Sequence, residues 1–151
     1  MRFESEKLSG SEDTSGAEKP PGAEKPQRVK RSVAVLIRSD RQVLTLRRPD
    51  DDDELPGVWG LPAGSYRGGE TQSELVRRIG DEKLGVTLEG GQILASGRQD
   101  RASYVLEMDL VEARMMQTPS RGEWKWDDPE VLKPGRHAGS LCCDLALGLP
   151  V

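Results

Sequence analysis

The residues able to do phosphate or metal chemistry gather in one stretch, PGVWGLPAGSYRGGETQSELVRRIGDEKLGV, residues 56–86. A glycine-rich loop with Gly64, Gly68 and Gly69 comes first. From Glu70 on, the apolar residues Leu75, Val76, Ile79 and Leu84 recur at helical spacing. Positions 79, 82 and 83 stand at i, i+3 and i+4, so their side chains share one side of that helix and can meet one ligand. Three carboxylates there would offer Mg²⁺ the oxygen ligands it takes up, and such an ion polarises a phosphoryl oxygen and prepares a water for attack. The residues present are Ile79, Glu82 and Lys83. Glu82 has two open uses: an ion pair with Arg78, or, together with Glu70, a carboxylate ligand for a cation that also holds waters and substrate phosphates. Asp81 lies about 100° round the helix from Glu82 and substitutes poorly. Ile79 extends the apolar face of Leu75 and Val76, while Lys83 is either solvated or in contact with phosphate.

Other reactive side chains offer less. The acidic run 50–54 has no spacing that converges its carboxylates and reads as a solvated loop. His137 is the single histidine, so a histidine metal cluster is excluded, and it reads as a surface residue. Cys142 and Cys143 are adjacent, which suits two reduced thiols better than a disulfide framework or a metal-ligand array. Trp124 and Trp126 read as facing opposite sides of a short strand, one in the core and Trp124 available to stack on a base.

The elements that must position these groups follow from hydrophobic period. SVAVLIR (residues 32–38) and QVLTLRR (42–48) flank Ser39-Asp40-Arg41 and predict a hairpin. A loop over 49–58 leads to one short strand, Trp59 to Gly64. The helix after Glu70 stops near Gly85 and contains Gly80, which costs about 1 kcal/mol relative to Ala in a helix interior. Strands are predicted over 86–96, 102–113 and 123–126, and Asp128-Pro129 opens a short helix. This order implies an α/β domain, a mixed sheet with helices on its faces.

Composition narrows the possible partners. The 151 residues allow one domain, and 22 Lys+Arg against 26 Asp+Glu give a net charge of -4 without a basic stripe, which argues against duplex nucleic acid. No apolar run approaches the roughly 20 residues of a membrane-spanning helix, and the N-terminus has no secretory apolar core, so a cytoplasmic location is expected. Residues 1–27 are poor in apolar side chains and repeat GAEKP, and are expected to form a disordered tail before a domain over 28–151.

The stretch 56–86 resembles the box of the Nudix hydrolase family. That box runs Gly, five residues, Glu, seven residues, then Arg-Glu-apolar-any-Glu-Glu-any-Gly-apolar. Gly64, Glu70, Arg78, Glu82, Gly85 and Val86 stand at matching positions. Trp59 to Gly64 is similar to the family's lead-in, and Gly122-Glu123-Trp124 with the following Asp-Pro-Glu-Val-Leu is similar to its late strand and turn, so the resemblance covers roughly residues 32–132. The resemblance implies a mixed sheet between helices (α/β/α) and metal-assisted attack of water, with Mg²⁺ or Mn²⁺, on a nucleotide or other diphosphate-linked small molecule. It further implies Glu82 and Glu70 on the metal, Arg78 orienting carboxylates, and Gly64, Lys83 and Trp124 near substrate.

The chain departs from the box at three positions. Ile79 and Lys83 replace two of three clustered glutamates, and Gly80 replaces an apolar residue. Local formal charge over positions 79, 82 and 83 therefore goes from -3 to zero. A lysine about 6 Å from a divalent ion repels it by roughly 5 kcal/mol at an effective dielectric near 20. The late segment 117–121 brings no carboxylate. Two readings stay open: a hydrolase of reduced or unusual activity, and a non-catalytic binding or regulatory module in which Lys83 and Arg78 contact phosphate. The tail reading is testable by thermal melting: a chain beginning at Gln27 should melt within about 2 °C of the full chain, and a loss of several degrees would overturn it.

Overall fold

The computed structural model describes residues 28–150, so the expected tail lies outside the described residues. Two sheets and five short helical segments make up the described residues. The first sheet has the order β5-β1-β7-β6, from β1 (Val29–Leu36), β5 (Ala63–Ser65), β6 (Leu88–Asp100) and β7 (Val105–Met115). β1 runs parallel to β7 and antiparallel to β5, and β6 is antiparallel to β7, so the sheet is mixed. The second sheet is built around β3 (Gln42–Arg47), which pairs antiparallel with β2 (Arg38–Ser39), β4 (Trp59–Gly60) and β8 (Trp124–Asp127).

Alternation along the central strands sorts the core into two layers. Val33, Val35, Val111 and Ala113 pack against Leu75, Val76 and Ile79 of α1 (Gln72–Ile79). Ala34, Leu36, Leu106, Met108 and Leu110 face the other way, onto Leu132 and onto Leu141, Cys142 and Cys143 of α3 (Leu141–Leu147). α2 (Lys133–His137) and a 3₁₀ turn at Pro129–Leu132 complete that layer. The result is the expected α/β/α sandwich. α3 falls beyond the stretch that carried the resemblance, and its two buried thiols are free.

Three local expectations are corrected. The run 32–38 does not pair as a whole with 42–48. Only Arg38–Ser39 does, turning through Asp40 at positive φ, because the chain leaves the first sheet at Ile37 and enters the second. The run 59–64 is two strands: Trp59–Gly60 belongs to the second sheet, Ala63–Ser65 to the first, and Pro62, which lacks an N–H for either ladder, stands between them. Trp124 and Trp126 do not face opposite sides. Residues two apart on a strand share a face, and both rings pack, half-buried, against the cluster under α1.

The box helix begins with a reciprocal cap. Thr71 Oγ1 accepts from the Glu74 N–H at 3.2 Å, and the Thr71 N–H donates to Glu74 Oε1 at 2.8 Å. After Ile79 the helix widens into a π turn, Gly80–Leu84, which ends at Gly85 in the left-handed conformation. A side chain at Gly80 would meet Leu88 Cγ at 2.7 Å and the Val86 carbonyl at 2.8 Å. Propensity alone makes Gly80→Ala stabilising by about 1 kcal/mol. Packing reverses the sign: Gly80→Ala should destabilise by about 1–3 kcal/mol in denaturant titration, and a more stable variant would show that this close approach does not shape the turn.

Candidate active site

Arg78 is the centre of the box. Its Nε donates to Glu70 Oε2 at 2.8 Å, its Nη2 donates to Glu70 Oε1 at 2.9 Å and to the Ser65 carbonyl at 2.6 Å, and its Nη1 reaches Glu82 Oε1 at 3.4 Å. Glu70 Oε1 also accepts from the Arg67 N–H at 3.1 Å. The Arg78 guanidinium, helped by that backbone N–H, holds the Glu70 carboxyl down to about 2. In return Glu70, followed by Glu82, raises Arg78 above its ordinary value. Glu82 is more exposed and receives a second guanidinium, Arg67, at 3.2 Å.

Ile79 turns inward. It is buried beneath β5, and a Cβ on Gly64 would stand 3.0 Å from Ile79 Cγ1, so Gly64 is the small residue that lets strand and helix approach. The late loop, which supplies no carboxylate, anchors the π turn instead. The Ser120 N–H donates to the Leu84 carbonyl at 2.8 Å, Arg121 Nη1 reaches the Glu82 carbonyl at 3.4 Å, and Gly122, at φ +84, leaves room for the Lys83 carbonyl. Glu82 and Lys83 therefore project from a held wall.

That wall faces a cleft with two lobes. The first, about 340 Å³, lies over the exposed end of the first sheet and is lined by Lys30, Arg48, Arg67, Arg78, Lys83 and Arg101 against two carboxylates, Glu54 and Glu82, with Tyr104, Leu106 and Met108 at its apolar end. The second, about 510 Å³, lies against β3, β4 and the late loop, with Arg47, Arg121, Leu46, Val58 and Leu61 among its walls. Arg48, Ala63, Glu82, Lys83, Ser140 and Cys142 line both lobes and form the saddle between them. The Ser140 hydroxyl lies 3.3 Å from Cys142 Sγ, and the Cys143 thiol donates to the Trp59 carbonyl at 3.6 Å.

The candidates from sequence thus divide. Gly64, Arg78, Glu82 and Lys83 line the cleft; Glu70 stands behind Arg78, and Trp124 is not among the lining residues. Sequence reasoning missed Lys30, Arg48, Arg101 and Tyr104. It also took the acidic run as free, whereas Glu54 accepts from the Tyr104 hydroxyl at 2.7 Å and pairs with Arg101, and Asp52 pairs with Arg48 and accepts the Glu54 and Leu55 N–H groups.

A family model of the NUDIX domain matches residues 28–141. The chain belongs to the Nudix family. Solved structures agree in fold. A MutT protein from Methanosarcina mazei Go1 is 23% identical, with 72% of this chain and 83% of that one covered at a TM-score of 0.64. The E. coli ORF135 protein is 21% identical, with coverage of 85% and 94% and a TM-score of 0.62. An ADP-ribose pyrophosphatase from Streptococcus suis 89-1591 is 14% identical, with coverage of 67% and 75% and a TM-score of 0.54. No curated protein matches the chain. Family membership supports a pyrophosphohydrolase.

Nudix hydrolases generally use divalent metal ions, and the donor set here does not fit a resident one. Among the described residues no three of His, Cys, Asp and Glu gather closely enough to hold a metal ion. Both Glu70 oxygens are engaged by donors, Ile79 is buried, and Glu82 is left as one carboxylate beside two guanidinia and Lys83.

Glu70 sets an acid limit on this Nudix domain. Its carboxyl sits lower in the folded chain than in the unfolded one, so its contribution to stability is present above about pH 4.5 and is lost as pH falls toward 2. Glu70→Gln should lower stability most near pH 7, and the gap to the native chain should close between about pH 4.5 and pH 2 in denaturant titrations. A gap that does not vary with pH would overturn this assignment.

Proposed function

We propose that the chain hydrolyses a nucleotide or another diphosphate-linked small molecule, slowly by the standard of its family. The observation that carries this reading is the saddle: Glu82 and Lys83 stand where two lobes of a basic cleft meet. Phosphate oxygens are drawn to guanidinium and ammonium groups, and each lobe has the volume of a small-ligand pocket with apolar walls for a base, sugar or other end group. An ADP-ribose pyrophosphatase shares the fold, and its substrate carries such groups on both sides of a diphosphate.

The chain's own residues support a limited chemistry. Arg67, Arg48 and Lys83 would hold the phosphate oxygens and accept charge as a water attacks phosphorus. Glu82 would take the proton of that water, and the bridging P–O bond would break with its electron pair leaving on the departing phosphate. Glu82 is itself held by Arg67 and Arg78, so these contacts must give way before it can take a proton from the water. No resident Mg²⁺ or Mn²⁺ is assigned a part. These features favour low turnover.

The second reading, a binding or regulatory module without turnover, is favoured by one observation: the box carboxylates are occupied by the chain's own cations. A phosphate-release screen over nucleoside di- and triphosphates, sugar nucleotides and dinucleotides separates the two. Turnover that Glu82→Gln abolishes, about 100-fold or more, while binding survives, supports the hydrolase. Binding without release by the native chain supports the module.

A further inference from the structure

We propose that Lys83 takes the place of a divalent metal in this box, so that the cleft captures diphosphate groups as metal-free anions. The inference rests on the reading of the cleft as a diphosphate site and adds how the charge of that group is met.

Four observations converge on Lys83. The position of one missing carboxylate is occupied by Ile79, which is buried under Gly64 and Leu75 and has no course into the cleft. The support carboxylate, Glu70, is closed off by Arg78 and the Arg67 N–H. In the ion-pair cluster at the cleft wall Arg67, Arg78 and Lys83 outnumber Glu70 and Glu82, so that cluster carries a net +1 before any ion arrives. A divalent ion would raise that to +3, whereas a diphosphate, with several negative charges of its own, offsets it.

The last observation concerns availability. Among the described residues Arg48 is paired with Asp52, Arg67 and Arg78 with Glu82, and Arg101 with Glu54. Lys83, like Lys30 and Arg121 elsewhere in the cleft, has no carboxylate partner among them, and of these three it alone lines both lobes. Its backbone is pinned by the late loop, through Ser120 on Leu84, Arg121 on Glu82 and Gly122 against its own carbonyl. A compact ammonium on a fixed backbone at the saddle of both lobes is suited to an oxygen cluster that either lobe can present.

Calorimetric titration of inorganic pyrophosphate into the full chain, once with EDTA and once with excess Mg²⁺, tests this. The native chain should bind in EDTA, and Mg²⁺ should not tighten binding. Lys83→Met should weaken the EDTA affinity at least tenfold, about 1.4 kcal/mol, while Lys83→Arg stays within about threefold of native. Lys83→Glu should bind only with Mg²⁺. Lys83 is exposed, so melting curves of these variants should match the native chain. Binding by the native chain only in Mg²⁺, or an unchanged affinity in Lys83→Met, overturns the proposal and leaves the diphosphate reading standing. No binding of pyrophosphate, a nucleoside diphosphate or a dinucleotide under either condition overturns both.

Discussion

The site depends on one guanidinium. Arg78 joins three pieces of chain that share no regular pairing: the carbonyl of Ser65 at the end of β5, Glu70 in the glycine-rich loop, and Glu82 in the π turn. Its side chain and that of Glu70 are largely shielded from water. Removing one partner of such a pair leaves the other charge shielded and unmet, which costs more than the pair contributes. The loop between strand and helix is therefore held by electrostatics where it has little apolar surface to pack. The same contact explains why Glu70 cannot serve a ligand: its oxygens already carry the architecture.

Around that contact the cleft results from crossings between sheets. The chain changes sheet at Ile37, at Leu61-Pro62 and again in the late loop between β7 and β8, and the saddle lies along the seam so created, with Ala63 in its wall. Cations from distant positions reach the cleft from the ends of strands and the loops that follow them. Arg48 follows β3, Lys30 lies on β1, and Arg101 lies just past β6, where Tyr104 and Glu54 tie the β6–β7 connection to the acidic loop.

Legibility in the sequence followed the range of the interaction. Helical spacing marked Ile79 as buried, the i, i+4 relation marked the Arg78–Glu82 pair, and Asp128-Pro129 marked its short helix, since all three are local. The crossings were not legible. A run of β-branched residues looks the same whether its neighbour in sequence is its neighbour in the sheet or not, and only long-range pairing separates β1 from β3. Arg48, Lys30 and Arg101 were invisible as a group for the same reason. Trp124 and Trp126 were legible in principle, because strand period puts residues two apart on one face. The π turn has no local signature beyond Gly80, whose role appears only when Leu88 and Val86 are placed beside it.

The two replacements in the box are physically coupled. Position 79 faces the core in this chain, so a carboxylate there would be buried without a partner, at a cost of several kcal/mol unless a cation met it. Isoleucine removes that cost and adds apolar contact with Gly64 and Leu75, but it also removes a ligand any divalent ion would need. Once the ion is weakened, a neighbouring carboxylate at position 83 would repel the phosphates it was meant to help bind, and a lysine there attracts them. Ile79 thus favours stability and Lys83 favours phosphate, and each makes the other tolerable. With isoleucine at 79 alone, the carboxylate at position 83 would repel phosphate with no ion to offset it, and with lysine at 83 alone, a buried charge at position 79 would remain in an ion site crossed by an ammonium. Both changes together leave a packed helix and a cationic saddle, the arrangement on which the proposed metal-free capture of phosphate rests.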